Sequence, residues 1–311
     1  LYSPYNSDED TGMVDAAIGF LGSISGLILL GSLYALLVVG ERLVYWLRGR
    51  RYDDADARCS VAINLTNSGL NLVGGLIIQF GLYIYIWPNF RLLDTMPLAI
   101  ALVVGFLWHD FAYYVEHRLG HRVGLLWAMH SVHHSSNSFN HSVAARGFFL
   151  DGLTNAPWHI PAALLGVPPV AYAAVVTVKS AFGIWNHASY VGHLGRLESL
   201  LATPLNHKIH HANQSEYIDR NYGQVLLLWD RLLGTRAEHG VEPVPGLVNP
   251  VHDNNPLTAQ FTGIAWLSAR VRSAERWQDK LAYLSRPPAW SHDGTCRSDC
   301  PKYGGQTILA G

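Results

Sequence analysis

Residues 18–46 form a predominantly apolar run, interrupted near its end by Glu41 and Arg42, and it exceeds the ~20 residues that a helix needs to cross a bilayer. Inside lipid every main-chain N–H and C=O must be satisfied within the segment, so such a run predicts a transmembrane helix. Asp8, Glu9, Asp10 and Asp15 precede it, and an acidic lead of this kind argues against a secretory signal. Three further apolar runs follow, over residues 61–87, 96–114 and 148–185. The first of these ends in Tyr83, Tyr85 and Trp87, an aromatic cluster suited to the membrane interface. The last is cut by Pro157, Pro161, Pro168 and Pro169, which predicts two short helices that enter and return. Composition agrees, since only 14% of residues are charged against roughly 25% in soluble domains.

Arg48, Arg50, Arg51 and Arg58 crowd the short loop between the first two runs, and a loop this basic is expected on the cytoplasmic side. Counting spans from it, the third run brings its C-terminal end back to that same face, and the proline-cut hairpin returns there too. From Gly192 the chain is more polar. It passes a stretch with Pro243, Pro245, Pro250 and Pro256, then a helical segment near residues 260–283. The expected fold is all-α: an integral, multi-pass membrane bundle of about four transmembrane helices or hairpins with a cytoplasmic helical cap. Its expected parts are N-terminal spans and a loop (1–95), a catalytic domain (96–240) and a C-terminal cytoplasmic segment (241–311). A net charge of -1 gives no reason to expect nucleic acid as a partner. Three cysteines cannot make a disulfide framework, and the Cys296/Cys300 pair, without other ligands nearby, reads as incidental.

The sixteen histidines are grouped. His117 and His121 form H-x3-H; His130, His133 and His134 form H-x2-H-H, and His207, His210 and His211 repeat it. Residues three and four apart share one face of a helix, so each group presents its imidazoles together. One zinc uses three or four ligands, so eight grouped imidazoles argue for two metal ions. A histidine-only shell suits Fe, Zn or Cu rather than Mg or Ca. Asp110, Glu116, Asp219 and Asp230 are candidates to fix the ligands' outer nitrogens, or equally to cap helices or pair with Arg118, Arg220 or Arg231.

The stretches H-D-F-A-Y-Y-V-E-H-R-L-G-H (109–121), L-W-A-M-H-S-V-H-H-S-S (126–136), T-P-L-N-H-K-I-H-H (203–211) and Y-I-D-R-N-Y-G-Q-V-L-L-L-W-D-R-L-L-G-T (217–235) resemble the fatty acid hydroxylase and sterol desaturase superfamily of integral membrane di-iron oxygenases. They are most similar to its alkylglycerol monooxygenase-like and bacterial sterol-desaturase-like branch. The resemblance implies that His117, His121, His130, His133, His134, His207, His210 and His211 are iron ligands and catalytic. His187, in W-N-H-A-S, matches a further family histidine and joins them. His193, His109 and His141 sit beside family positions as additional candidates, with Asp110, Asp219 and Asn221 expected to orient ligands. Val115 departs from the family, which often has Trp there.

The implied activity is hydroxylation or desaturation of an unactivated C–H position of a lipid, sterol or other hydrophobic molecule. Two Fe ions are the implied cofactors, with Zn a substitute in a purified sample. The implied partners are O₂, a separate electron donor and the membrane, with the active site on the cytoplasmic face. Saturated C–H bonds require such chemistry because they offer neither a leaving group nor an acidic proton. No C-x-x-C-H haem motif or G-x-G-x-x-G fingerprint suggests an internal electron carrier. Ether-lipid cleavage by the same superfamily is the alternative. From another class, a zinc-dependent membrane hydrolase lacks its H-E-x-x-H signature here, and a metal transporter would need ionisable residues at mid-span.

Overall fold

The computed structural model describes residues 7–94 and 96–294, so Cys296 and Cys300 lie outside the described residues. Within them every regular element is helical, and only two isolated bridges, Leu201 to Leu226 and Ala212 to Pro245, pair extended segments. The long first run becomes α1 (Ser7–Leu47). After the Arg-rich loop, α2 (Asp54–Leu72) continues through a π-helical stretch (Val73–Phe80) into α3 (Gly81–Phe90). The second apolar run is therefore the later part of one segmented helical path. The third run becomes α4 (Leu98–Arg122), eight residues longer at its C-terminal end than the apolar pattern alone suggests. The proline-cut run yields α6 (Asp151–Thr154), α7 (Ala156–Leu164) and α8 (Pro169–Trp185), with α7 and α8 each packed on α4.

Among the described residues two helices are long and apolar enough to cross a bilayer, Ile24–Leu47 within α1 and Leu98–Arg122. Prolines and polar breaks shorten the others. Leu36, Val39 and Leu47 on α1 and Leu98 and Val103 on α4 are more than half exposed, as are Leu92 and Leu93 in the loop before α4. An apolar belt of this extent would be a liability in water and is the natural surface of a protein solvated by lipid. Inside the bundle, Tyr83 stacks on Tyr172 at 4.7 Å between ring centres, and Ala101, Ala162, Ala163 and Ala171 let α3, α4, α7 and α8 approach closely.

Everything that bears on the histidines gathers at one end. α1 packs along α8, and buried Glu41 near its C-terminus accepts hydrogen bonds from the main-chain N–H groups of His141 (2.8 Å) and Ser189 (2.9 Å). α2 begins beside the second histidine group, where Asp56 accepts from the Ser136 hydroxyl at 2.5 Å and pairs with Arg146 at 3.3 Å. The Arg-rich loop and the histidines thus share one end of the bundle. α5 (Gly124–His134) follows α4 after a single extended residue, Val123. It is clasped by α11 (Pro256–Ser273) and α12 (Trp277–Ser285). The short α9 (Pro204–His210) and α10 (Leu228–Leu232) complete the cap, with the Thr203 hydroxyl capping α9.

Candidate metal centre

Three helix ends and the turn after α8 deliver nine imidazoles into two adjacent nests. His117, His121, His130, His134 and His210 form the first, and His133, His187, His207 and His211 the second. In each nest one ring nitrogen per residue lies within 4.8 Å of all the others. The division follows from helical geometry. In the second group, His130 and His134 (i, i+4) enter the first nest and His133 the second; in the third group, His207 and His211 enter the second nest and His210 the first. The H-x2-H-H spacing therefore staples two neighbouring centres together, and the His134 and His211 rings stack at 4.5 Å where the nests meet.

Main-chain carbonyls hold the outer nitrogens of four rings. His117 Nδ1 lies 2.8 Å from Tyr222 O, His133 Nδ1 2.9 Å from Arg146 O, His187 Nδ1 2.8 Å from Gly183 O, and His210 Nδ1 2.8 Å from Arg220 O. A carbonyl only accepts, so each of these rings carries its hydrogen on Nδ1 and turns the Nε2 lone pair inward. His121 Nδ1 faces Asp219 at 3.5 Å.

Inward, His134 Nε2 sits 3.1 Å from His121 Nε2 and 3.2 Å from His210 Nε2. His207 Nε2 sits 3.1 Å from His187 Nε2 and 3.2 Å from His211 Nε2. His134 can supply one ring hydrogen to one neighbour at most, which leaves lone pairs facing each other in a buried site. A cation between them resolves that repulsion. Nitrogens bound ~2.1 Å from one ion at 90–110° would stand about 3.0–3.4 Å apart, so the observed spacing fits. Burial pushes the His133 imidazole down to about 4, and burial with the neighbouring imidazoles holds His134, His187, His207 and His211 well below the usual range. All five are neutral at physiological pH, the form that binds metal.

The remaining predicted residues are distributed differently. His193 is exposed, its Nδ1 accepting from Gly195 N at 3.0 Å, and it joins neither nest. His141 is buried but bonds Ile184 O and Tyr190, outside both nests. His109 lies against His159 and Tyr172, two turns back along α4. Asp110 meets no ligand; it binds Lys179 at 2.6 Å and accepts from Trp229 Nε1 at 3.0 Å. Asp219 pairs with Arg122 at 3.0 Å as well as facing His121, and Asn221 ties Ala237 and Asn206 rather than an imidazole. Both adopt positive φ, 62° and 55°, which Asp and Asn tolerate better than most residues.

Two supports stand behind the ligands: Arg146, which escaped sequence reasoning, and Asp230, an expected candidate that acts through the main chain rather than on an imidazole. Arg146 is buried and holds Ser135 and Asp56 while its carbonyl anchors His133. Asp230 accepts from the N–H groups of Tyr222 and Gly223, each at 2.8 Å, and from the Thr235 hydroxyl at 2.7 Å. It thereby fixes the carbonyl that orients His117, which gives the W-D-R-L-L-G-T stretch a physical role. Beside the nests lies a cavity of ≈ 320 Å³ lined by His117, His130 and His133, so both centres border it, together with Leu126, Met129 and Trp158.

Residues 102–235, the span holding all nine imidazoles, match the fatty acid hydroxylase family. Human alkylglycerol monooxygenase is 32% identical over 82% of this chain and 57% of its own length. The Danio rerio alkylglycerol monooxygenase is 34% identical over 69% of this chain and 48% of its own. This chain belongs to the fatty acid hydroxylase family. An ornithine lipid hydroxylase from Rhizobium tropici is 28% identical over 66% of the chain and 64% of its own length. The chain spans about half the length of the curated alkylglycerol monooxygenases it matches. No solved structure matches it.

Proposed function

We propose that this chain is a membrane di-iron oxygenase that oxidises an unactivated C–H position of a lipid. One observation carries this reading: two histidine nests, side by side, border a single cavity large enough for a segment of lipid chain. The five histidines of the first nest exceed the four ligands of a tetrahedral zinc site, which favours iron. Bound there, two iron ions would supply the O₂-derived oxidising power that a saturated carbon demands.

The chain's own residues do the rest. The carbonyls of Tyr222, Arg146, Gly183 and Arg220 hold the ligand rings in one tautomer. Leu126, Met129 and Trp158 give an alkyl chain an apolar wall, and fixing that chain beside His117 and His133 would select the carbon attacked. The similarity to alkylglycerol monooxygenases favours a glyceryl ether lipid within this class, while the ornithine lipid hydroxylase supports hydroxylation of other polar lipids. Electrons come from a separate donor, and the active site shares the cytoplasmic face with the Arg-rich loop. The test is incubation of the iron-loaded full chain with a chemical reductant, O₂ and a lipid panel, with products read by mass spectrometry. Incorporation of one ¹⁸O atom from ¹⁸O₂ into a lipid or its cleavage product is expected. A product that takes its oxygen from water, as a hydrolase requires, would overturn the proposal.

A further inference from the structure

A second cavity, of ≈ 210 Å³, lies between α4, α7 and α8 behind the first. Tyr113, Glu116, Asn155 and Trp158 line both, so they form the seam between the two spaces. Asn155, with its amide nitrogen turned toward its acceptors, donates to Glu116 Oε1 at 2.5 Å and to Asp151 O at 3.0 Å, bracing that seam. Beyond it the walls are unexpectedly polar for the interior of an apolar bundle, with Gln79, His109, Ser180 and Gln224 on its surface.

Two of these carry buried atoms with nothing to bond. His109 is 9% exposed and its Nδ1 has no partner; Gln224 is 8% exposed and its Oε1 has none. Leaving such atoms unsatisfied in a low-dielectric site is costly, and ionisable or polar groups at membrane depth usually mark a ligand. No arginine or lysine lines the cavity, since Lys179 is committed to Asp110 at 2.6 Å. A phosphate or carboxylate would thus enter without a counter-charge, next to Glu116. The free Gln224 carbonyl asks for an O–H or N–H donor, and His109 Nδ1 can donate or accept.

We propose that this second cavity is a subsite for an uncharged, hydroxyl-bearing head of the lipid, held by Gln224 and His109, with the alkyl chain passing the Glu116–Asn155 seam into the space beside the histidine nests. The assignment rests on the oxygenase reading for the identity of the first cavity. It makes His109 a substrate-binding residue rather than a metal ligand.

The experiment is equilibrium binding to the full chain in nanodiscs, read by tryptophan fluorescence because Trp158 lines both spaces. The probes are a 1-O-alkylglycerol, the headless alkane of equal length and the corresponding alkyl phosphate. Wild type is expected to prefer the alkylglycerol at least about tenfold over both, the value of one or two good hydrogen bonds. Gln224→Met and His109→Phe should each erase most of that preference without changing alkane binding or metal content. Ser180→Ala provides a milder variant if either fails to fold, with a smaller loss expected. Equal binding of alkylglycerol and alkane by wild type, preference for the phosphate, or a preference untouched in every folded variant would overturn the subsite. Loss of the oxygenase reading would show instead as a chain without iron, whatever its head-group preference.

Discussion

His134 and His207 illustrate how much depends on single atoms at this site. Each places its Nε2 within 3.2 Å of two other imidazole nitrogens, and each belongs to a different nest. Removing one ligand from one nest should therefore empty one centre while leaving the other measurable. His130→Ala and His211→Ala are each expected to reduce bound metal from two ions to one by elemental analysis, and His193→Ala to change nothing; an identical loss of all metal in both ligand variants would show the nests to be inseparable. Asp230→Asn should weaken metal binding about 10–100-fold by loosening the Tyr222 carbonyl behind His117, which chelator competition would read. Protons compete for the same nitrogens. His133 is lowered from 6.5 to about 4 by burial, so between those values the folded, metal-free chain binds fewer protons than the unfolded one. Its stability is full above pH 6.5 and falls as pH drops toward 4, and the four other depressed imidazoles act in the same direction. Thermal melts of the metal-free chain should shift downward between pH 7 and pH 5, and a flat profile would contradict this assignment.

At the scale of elements, a close crossing and two buried ion pairs, Lys179–Asp110 and Arg146–Asp56, set the positions of the nests. Gly263 lets α11 cross α5, since a Cβ there would lie 2.2 Å from Ala128 O. Gly263→Ala should destabilise the fold by about 1–3 kcal/mol through overpacking, seen as a lower melting temperature with α5 misplaced and metal lost on mild heating. Lys179 and Asp110, both fully buried, tie α8 to α4, and Asp110 also anchors Trp229. Lys179→Met alone strands a charge and should cost about 3–5 kcal/mol, while Lys179→Met with Asp110→Asn should recover much of it. The helices and the histidine grouping were legible in the sequence because apolar runs and i, i+3, i+4 spacing are local signals. The sharing of each H-x2-H-H between two nests was not, because it depends on how α5 and α9 face each other. Arg146 and the carbonyls of Gly183 and Tyr222 were equally hidden, as a main-chain acceptor has no residue-type signature. The Asp110–Lys179 pair was hidden too, because it forms only where α8 crosses α4.

The whole molecule is an apolar belt with a polar, metal-ready end. That end holds the Arg-rich loop, the histidine nests and the α11–α12 cap, so single cysteines at positions 54 and 215 should react with an impermeant reagent from the same side of sealed vesicles; opposite accessibility would break the proposed topology. In the proposed reading the apolar belt would bring lipid to the bundle, and the two cavities would give it a place beside the imidazoles. The most direct test of a two-iron site is the metal content and Mössbauer spectrum of the full chain purified after iron-replete expression, alongside His133→Ala and His134→Ala. Two irons per chain, diminished in both variants, is the predicted result. A single zinc per chain, or metal indifferent to both substitutions, would contradict it.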